Sequence, residues 1–450
     1  MTVTDARGID GAADERAAGP VNPVAPVAPV GTARLFLARA QLSAPSSAPP
    51  GAPAVGAAHP VSVGAPSLAA HHEAYGLLPR VTVPDALIDE LRRSGLDGRG
   101  GAGFPVWRKI ASVRANTGRN QSKRPIVIGN GSEGEPLSRK DQTLLRQAPH
   151  LVIDGLVLCG ALVGASEISL VVGSASADSI RRAIAERADA AHVRVTISPE
   201  AFVSGEATAV ANALERGVSV PRDHLLHLSQ SGVAGRPTLV QNVETLAQLA
   251  LVARFGAEWF RSVGTADEPG TRLITVSGDV GVPQVLEVPG GTPLRTIVAA
   301  CAPGELRALL VGGYHGGWVP AALLDTALSR QALAPFGASP GAGVIYVLGQ
   351  LRCGLESSAA ITRYLAGQSA RQCGPCVNGL PAMATVLDSV AARSRDTRLP
   401  AELARLADIV TGRGSCTHPD GTARFVLSTL SAFDADVRAH LAGRCEVNGA

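Results

Sequence analysis

Short apolar runs alternate with helical stripes through the middle of the chain. "PIVIGN" (125–130), "ISLVVG" (168–173) and "VRVTIS" (193–198) have the length and β-branched content of strands. Between the first two, "LVIDGLVLCGALVGA" reads as a buried helix. Between the second and third, "SADSIRRAIAERADAA" places Ile180 and Ile184 on one face of an amphipathic helix. Strand, helix, strand, helix, strand predicts a parallel sheet with right-handed crossovers. Ligands of such sheets bind beyond the carboxyl ends of the strands. The segments expected there, "GNGSEGEP" and "PEAFVSGEATAVANALERG", are rich in Gly, Asn and Glu.

The flanks have other textures. Residues 1–70 are dominated by Ala, Pro, Val and Gly, as in "GPVNPVAPVAPVG", and read as a disordered or polyproline-like arm. Within it, "TARLFLARAQL" is either a segment that pairs with a sheet edge or an apolar patch. Downstream, "RLITVSGDV" and "QVLEV" are β-rich, "PLRTIVAAC" is helical and "RALLVGG" is a strand. That order resembles a β-grasp module. From about Ser357 the pattern is helical to the end, with Val426, Leu430, Phe433, Val437 and Leu441 forming one stripe of a last helix.

Length and composition narrow the class. A chain of 450 residues implies two to four domains. Net charge is +3 without a basic block, which excludes an obvious nucleic-acid surface. Aromatics are 3%, so the core is built from small side chains. The longest apolar run is too short to span a bilayer and Asp154 interrupts it, so no membrane insertion is expected. The N-terminus lacks a basic segment leading into an apolar one; together with seven cysteines in so long a chain, this points to a cytoplasmic protein using thiols for metal or redox work.

Two motifs carry candidate chemistry. "GRGGAGFP" (98–105) contains G-x-G-x-x-G, but a helix precedes it rather than a strand: Leu87, Ile88 and Leu91 in "VPDALIDELRRSGLD" have helical spacing. Alone it is either a tight turn or a phosphate-contacting loop. "RQCGPCVNG" gives Cys373 and Cys376 as C-x-x-C, and "GRGSCTHPDG" gives Cys416. A lone C-x-x-C fits zinc, iron–sulfur or a redox dithiol. Zinc would want more ligands than nearby Cys416 and His418 offer, and a redox dithiol would want a strand-to-helix setting.

The ordered set "LDGRGGAGFPVWRK", "GNGSEGEP…KD", "FVSGEATA", "PTLVQNVET", the β-grasp segment and "SARQCGPCVNG" resembles the NADH-binding flavoprotein subunit of respiratory complex I and the related subunits of NAD-linked hydrogenases and formate dehydrogenases. The resemblance runs from about residue 80 to the C-terminus and is nearest a bacterial branch with divergent cluster ligands. It implies an α/β fold: an FMN- and NADH-binding domain with a parallel sheet (75–260), a soluble-ligand-binding β-grasp domain (268–335) and a C-terminal helical bundle binding iron–sulfur (340–445). It implies FMN and an iron–sulfur cluster as cofactors, NAD(P)H as substrate, and an electron-accepting iron–sulfur or redox protein subunit as partner. No side chain is assigned as acid or base.

Matched to the family's motifs, Gly98, Arg99, Gly100, Gly101 and Gly103 form the flavin loop, and Lys109 offsets phosphate or flavin charge. Phe104 matches an aromatic used against NADH, with a core role as the alternative. Asn130, Ser132 and Glu133 fall in the flavin segment; Phe202, Gly205 and Glu206 in a "Y-x-x-G-E-E" turn; Gln241, Asn242 and Thr245 in "N-N-V-E-T". Three departures stand out. Asp97 replaces a usual Arg, Ser132 replaces an Asp, and Ala207 replaces the second Glu of the turn. Cys373, Cys376 and Cys416 cover three of four cluster ligands, Ala370 occupies the remaining position, and Cys353 or Cys445 is the candidate substitute. Three thiolates suit a 4Fe-4S cluster with one differently ligated corner, or a 3Fe-4S cluster. The departures also raise an alternative reading: an FMN and iron–sulfur electron-transfer module that no longer oxidises NADH.

Overall fold

The computed structural model describes residues 34–35, 65–119, 123–199, 201–223, 226–301 and 303–447. Its first half runs α1 (Leu68–Tyr75), α2 (Pro84–Ser94), α3 (Val106–Arg119), β1 (Ile126–Gly131), α4 (Lys140–Gln147), α5 (Pro149–Val163), β2 (Glu167–Val172), α6 (Ser174–Ala185), β3 (Arg194–Ile197), α7 (Ala207–Arg216), β4 (Thr238–Asn242) and α8 (Val243–Arg261). The strands are all parallel, in the order β3-β2-β1-β4. The hydrophobic pattern does not single out β4, because only two of its five residues, Leu239 and Val240, are apolar. From β1 the sheet grows toward β2 on one side and β4 on the other. The crevice beyond β1 and β4 is therefore the topological switch point. Asn130 and Asn242 face each other in register at that edge.

The glycine and the acid of α5 both have structural causes. A Cβ on Gly155 would lie 2.0 Å from the Leu246 carbonyl oxygen, so glycine lets the backbones of α5 and α8 touch. Asp154 is buried between basic side chains from three other segments: the guanidiniums of Arg187 and Arg254, each at 2.6 Å, and the His71 imidazole of α1 at 2.7 Å. These partners hold its carboxyl well below the usual range despite burial.

The second sheet comprises β5 (Thr271–Gly278), β6 (Gln284–Pro289), β7 (Leu306–Val311), β8 (Gly317–Pro320) and β9 (Val344–Gly349), with α9 (Leu294–Ala299) after β6 and α10 (Arg330–Leu333) before β9. The order is β6-β5-β9-β7-β8, with β5 and β9 parallel and the other pairs antiparallel. A hairpin, a helix and a late central strand parallel to the first make the β-grasp arrangement. That central strand lies beyond residue 335, so the sheet extends to Gly349, into the stretch expected to be helical.

Two backbone N–H groups of the "TARLFLARAQL" segment are described, those of Arg34 and Leu35, and both donate to Glu287 Oε2 on edge strand β6, at 2.8 and 2.9 Å. Leu35 is fully buried, and the Arg34 guanidinium lies 4.0 Å from the centre of a Trp259 ring. Arg34 and Leu35 thus reach a sheet edge, held by a carboxylate. Most of the 1–70 arm lies outside the described residues.

The chain ends in α11 (Gly354–Gly367), α12 (Leu380–Ala391), α13 (Leu399–Val410), α14 (His418–Ala432) and α15 (Asp434–Leu441). The expected single last helix is two helices. Phe433, at φ −115° and ψ 33°, breaks it, and Asp434 and Asp436 supply acids to the first turn of the second. Among the described residues no helix is long and apolar enough to cross a membrane.

Replacing Asp154 by Ala leaves the buried Arg254 guanidinium without a carboxylate and Arg187 with Asp189 alone. The expected loss is about 3–5 kcal/mol of folding stability, read from urea denaturation.

Candidate cofactor site

The glycine loop joins α2 to α3 and is closed at its base. Gly98 N–H donates to Phe104 O at 3.0 Å and Val106 N–H to Leu96 O at 3.1 Å, while Arg99 N–H donates to Thr245 Oγ1 on α8 at 2.8 Å. Gly100, Gly101 and Gly103 form the tip, over the carboxyl end of β4. A Cβ on Gly100 would sit 3.2 Å from Asn242 Cβ. Gly103 has φ +59°, and the Arg330 guanidinium of α10 fills the space its Cβ would need. Phe104 is 51% exposed, which removes the core alternative.

Arg99 points inward. Its guanidinium pairs with Asp97, and burial pulls it down to about 10. Asp97 also meets Arg272 at 2.8 Å and Arg330 at 3.6 Å. Where the resemblance expects an arginine, this acid gathers arginines from neighbouring segments, one of them over the loop tip.

The other matched residues ring the same edge. Lys109 of α3 donates from Nζ to Val240 O at 2.7 Å, and burial pulls its ammonium down to about 8. Asn130 Nδ2 donates to Gly205 O at 2.8 Å, and its Oδ1 accepts from Ser132 N–H at 3.1 Å. Asn242 caps α8 through Oδ1 and donates from Nδ2 to Asp141 Oδ2 at 2.7 Å. Among the described residues, Ser132 Oγ and Gln241 Nε2 are buried without a hydrogen-bond partner. Buried polar atoms are ordinarily satisfied. Two orphans at a switch point, beneath a bare glycine tip, fit a polar planar ligand with a phosphate.

Two glutamates have both position and duty. Glu133 accepts from Ser138 Oγ at 2.6 Å and from Asp141 N–H at 3.0 Å through Oε1, and from Gln142 N–H at 3.1 Å through Oε2, fixing the start of α4. Glu206 Oε2 caps α7, accepting from Thr208 N–H at 2.8 Å and Ala209 N–H at 3.0 Å.

The turn carrying Phe202, Gly205 and Glu206 also reaches the helical bundle. Phe202 N–H donates to Gln368 Oε1 at 3.1 Å, and its ring stands edge-on to His315 at 4.7 Å and beside His418 at 5.4 Å. Cys373 and Cys376 are hydrogen-bonded to each other, and Cys416 interacts electrostatically with both and with Glu206 of this turn. Burial raises the Cys416 thiol, and Glu206 and Cys373 push it the same way. Burial, then Cys373, pushes Cys376 up to about 12. Burial also acts on Cys373, but N–H groups of Ser415 and Cys376 outweigh it and the net shift is down. The second cysteine lies inside a π-helical turn, Pro375–Gly379, closed by Leu380 N–H on Pro375 O. Such turns recur at functional sites.

The proposed substitutes for the missing fourth ligand are elsewhere. Cys353 and Cys445 gather with His440, which bonds the Val390 carbonyl at the far end of α12, about 20 Å along the helix from Cys376. His418 is also engaged at both nitrogens, with His315 at 3.1 Å and Leu365 O at 2.9 Å.

Sequence reasoning missed three contributors. Tyr314 N–H donates to Glu135 Oε2 at 2.9 Å, a link between the two sheets. His315 joins the Phe202 cluster, and "GYHGGW", aromatic-rich in an aromatic-poor chain, was the signal. Lys140 lies buried between Asp141 (2.7 Å) and Glu244 (3.0 Å) under Asn242.

An FMN- and iron–sulfur-binding class follows from two family models. The Nuo51 FMN-binding domain matches residues 91–251, and the NADH-ubiquinone oxidoreductase-F iron-sulfur binding region matches residues 356–440. The F subunit of NADH-quinone oxidoreductase from Rickettsia bellii is 31% identical over 317 residues, 65% of this chain and 75% of the relative. The second F-type subunit of the same enzyme in Rhizobium meliloti is 29% identical over 80% of this chain and 90% of its own. The HndC subunit of the NADP-reducing hydrogenase of Solidesulfovibrio fructosivorans is 27% identical over 80% and 76%. The crystal structure of an air-oxidised NAD+-reducing [NiFe]-hydrogenase superposes with TM-score 0.73 at 30% identity, covering 81% of this chain and 64% of that chain. The chain belongs to the family of NADH-quinone oxidoreductase F subunits, whose members are parts of larger complexes.

Burial pushes both Glu135 and Glu287 up to about 7. Raised folded pKa values mean that the native state holds protons that the unfolded chain has released. Stability should therefore fall as pH rises from about 4.5 to about 7, then level off. Thermal melts across that window should show a shallower fall in Glu135→Gln.

Proposed function

We propose that this chain takes electrons from NAD(P)H at FMN and passes them through an iron–sulfur cluster to a partner redox subunit. One observation carries the reading: a single turn, Phe202–Glu206, meets Asn130 at the orphaned polar edge of the sheet and also reaches His418 and Cys416 on the cysteine side. Bound FMN supplies the exchange between a two-electron hydride and single electrons. The residues supply the rest. The Gly100–Gly103 tip offers backbone N–H groups to phosphate, with Arg330 beside it. Ser132 Oγ and Gln241 Nε2 offer unsatisfied polar atoms to a flavin edge, and Asn130 holds the Gly205 carbonyl against that edge. Phe104 presents an exposed ring to a nicotinamide dinucleotide. Cys373, Cys376 and Cys416 would hold the cluster, and neutral His315 and His418, kept uncharged by burial, line the wall beside it.

A second reading, an electron-transfer module slow with NADH, rests on Glu206. Its carboxylate is held in the α7 cap and its neighbour is Ala207, so no free acid of that turn is left for the nicotinamide side.

Anaerobically reconstituted protein should show flavin and cluster absorption bands that bleach with NADH. Gly100→Val should lower bound FMN at least about tenfold in a folded chain, because the branched side chain presses Asn242 and fills the loop's mouth. Cys373→Ser should lose iron and keep FMN. Equal flavin in Gly100→Val would remove the loop from the site. Stopped-flow mixing separates the readings: fast bleaching at micromolar NADH supports the first, and a bound flavin that stays oxidised supports the second.

A further inference from the structure

Three buried side chains outside the cofactor region converge on one point. Cys353 stands immediately before α11, His440 lies in the last turn of α15, and Cys445 follows that helix. The two sulfurs and one ring nitrogen of His440 all lie within 4.8 Å of one another, and Cys353 Sγ is 3.6 Å from His440 Nε2. The His440 tautomer is fixed by geometry. Its Nδ1 is 3.1 Å from the Val390 carbonyl oxygen, which can only accept, so the ring proton is on Nδ1. In the neutral ring the Nε2 lone pair is then left to face the Cys353 sulfur. A histidine whose other nitrogen donates to a backbone carbonyl is the usual arrangement around a bound metal.

The spacing agrees. Zinc bonds of about 2.3 Å to sulfur and about 2.05 Å to nitrogen, meeting at the tetrahedral angle, set the two atoms about 3.6 Å apart. Cys353 Sγ and His440 Nε2 are 3.6 Å apart. Burial pushes the Cys353 thiol up to about 11, and backbone N–H groups of Glu356 and Leu355, at the head of α11, aim at its sulfur and act the other way.

We infer that Cys353, His440 and Cys445 bind one divalent thiophilic ion of the zinc type, at a site separate from Cys373, Cys376 and Cys416. Binding releases two thiol protons and forms two metal–sulfur bonds and one metal–nitrogen bond, with no change of oxidation state. A non-protein ligand takes the fourth position. The ion would clasp residues 353 and 445, which bracket the helical bundle, to the end of α12 through His440 and Val390.

The test uses the full chain carrying Cys373→Ser and Cys376→Ser, kept reduced and anaerobic, so that the other thiols cannot compete as a pair. Titration with Co²⁺ should give one equivalent of binding with thiolate-to-cobalt charge-transfer absorption, displaced by one equivalent of Zn²⁺. Adding Cys445→Ser should weaken binding about 100-fold or more, since loss of an outer-shell partner alone costs 10–100-fold. Metal analysis of the unmutated chain after iron removal gives an independent reading, with one retained zinc expected. A folded chain without the charge-transfer band, a band that survives Cys445→Ser, or two thiols lost as a Cys353–Cys445 disulfide with no metal would each overturn the inference.

Discussion

The buried ammonium of Lys140 is the point on which the cofactor edge depends. Burial opposes its charge, and Asp141 and Glu244 keep it charged. Each acid then reaches further. Asp141 accepts from Asn242, which caps α8 and lies under Gly100. Glu244 Oε1 accepts from Leu273 N–H on β5 at 2.9 Å. One cation thus fixes the floor of the glycine loop and joins the parallel sheet to the β-grasp sheet. Gly343, just before β9, lies against the Lys140 stem, where a Cβ would be 2.8 Å from its Cδ. A one-carbon intrusion there reaches the loop through three contacts.

The matched polar residues divide their labour in a way that motif matching hides. Glu133 and Glu206 hold helix starts, and Arg99 holds Asp97. Among the matched residues described, the side-chain atoms left open include Arg99 Nε, Ser132 Oγ and Gln241 Nε2. Buried carboxylates that cap helices keep the edge rigid, while the unpaired Ser132 and Gln241 atoms are the ones the proposed ligand would satisfy. A carboxylate engaged by two or three N–H groups is a poor candidate for a second partner, because binding one would break bonds already made.

Periodicity sufficed for β1 to β3 and for α5 and α6 between them, since each run is bounded by turn residues, but it passed over α4, whose Lys140–Gln147 stretch is mostly polar. It missed β4, where "TLVQN" has two apolar residues and two polar ones already turned to the site. It placed the end of the β-grasp sheet too early, because β9 pairs with strands far away in sequence and nothing local announces that pairing. It read one final helix where Phe433 makes two, since a break of one residue leaves the apolar spacing nearly intact. The loop and the C-x-x-C were legible as spacing. The inward turn of Arg99, the capping by Glu206 and the separate fate of Cys353 and Cys445 were not, because each depends on partners brought together only by the tertiary fold.

The π turn at Pro375–Gly379 makes the helix one residue longer than an α-helical path between the same ends. Deleting Asn378 would let regular i to i−4 bonding run through, a gain for the helix as an isolated object. It would also turn Cys373 and Cys376 by about 100° relative to the α12 face that packs on α11 and α13, carrying both sulfurs away from Cys416. Selection for the most stable helix and selection for three converging thiols pull this segment in opposite directions. The surplus residue is a register shim whose value lies outside the helix that contains it.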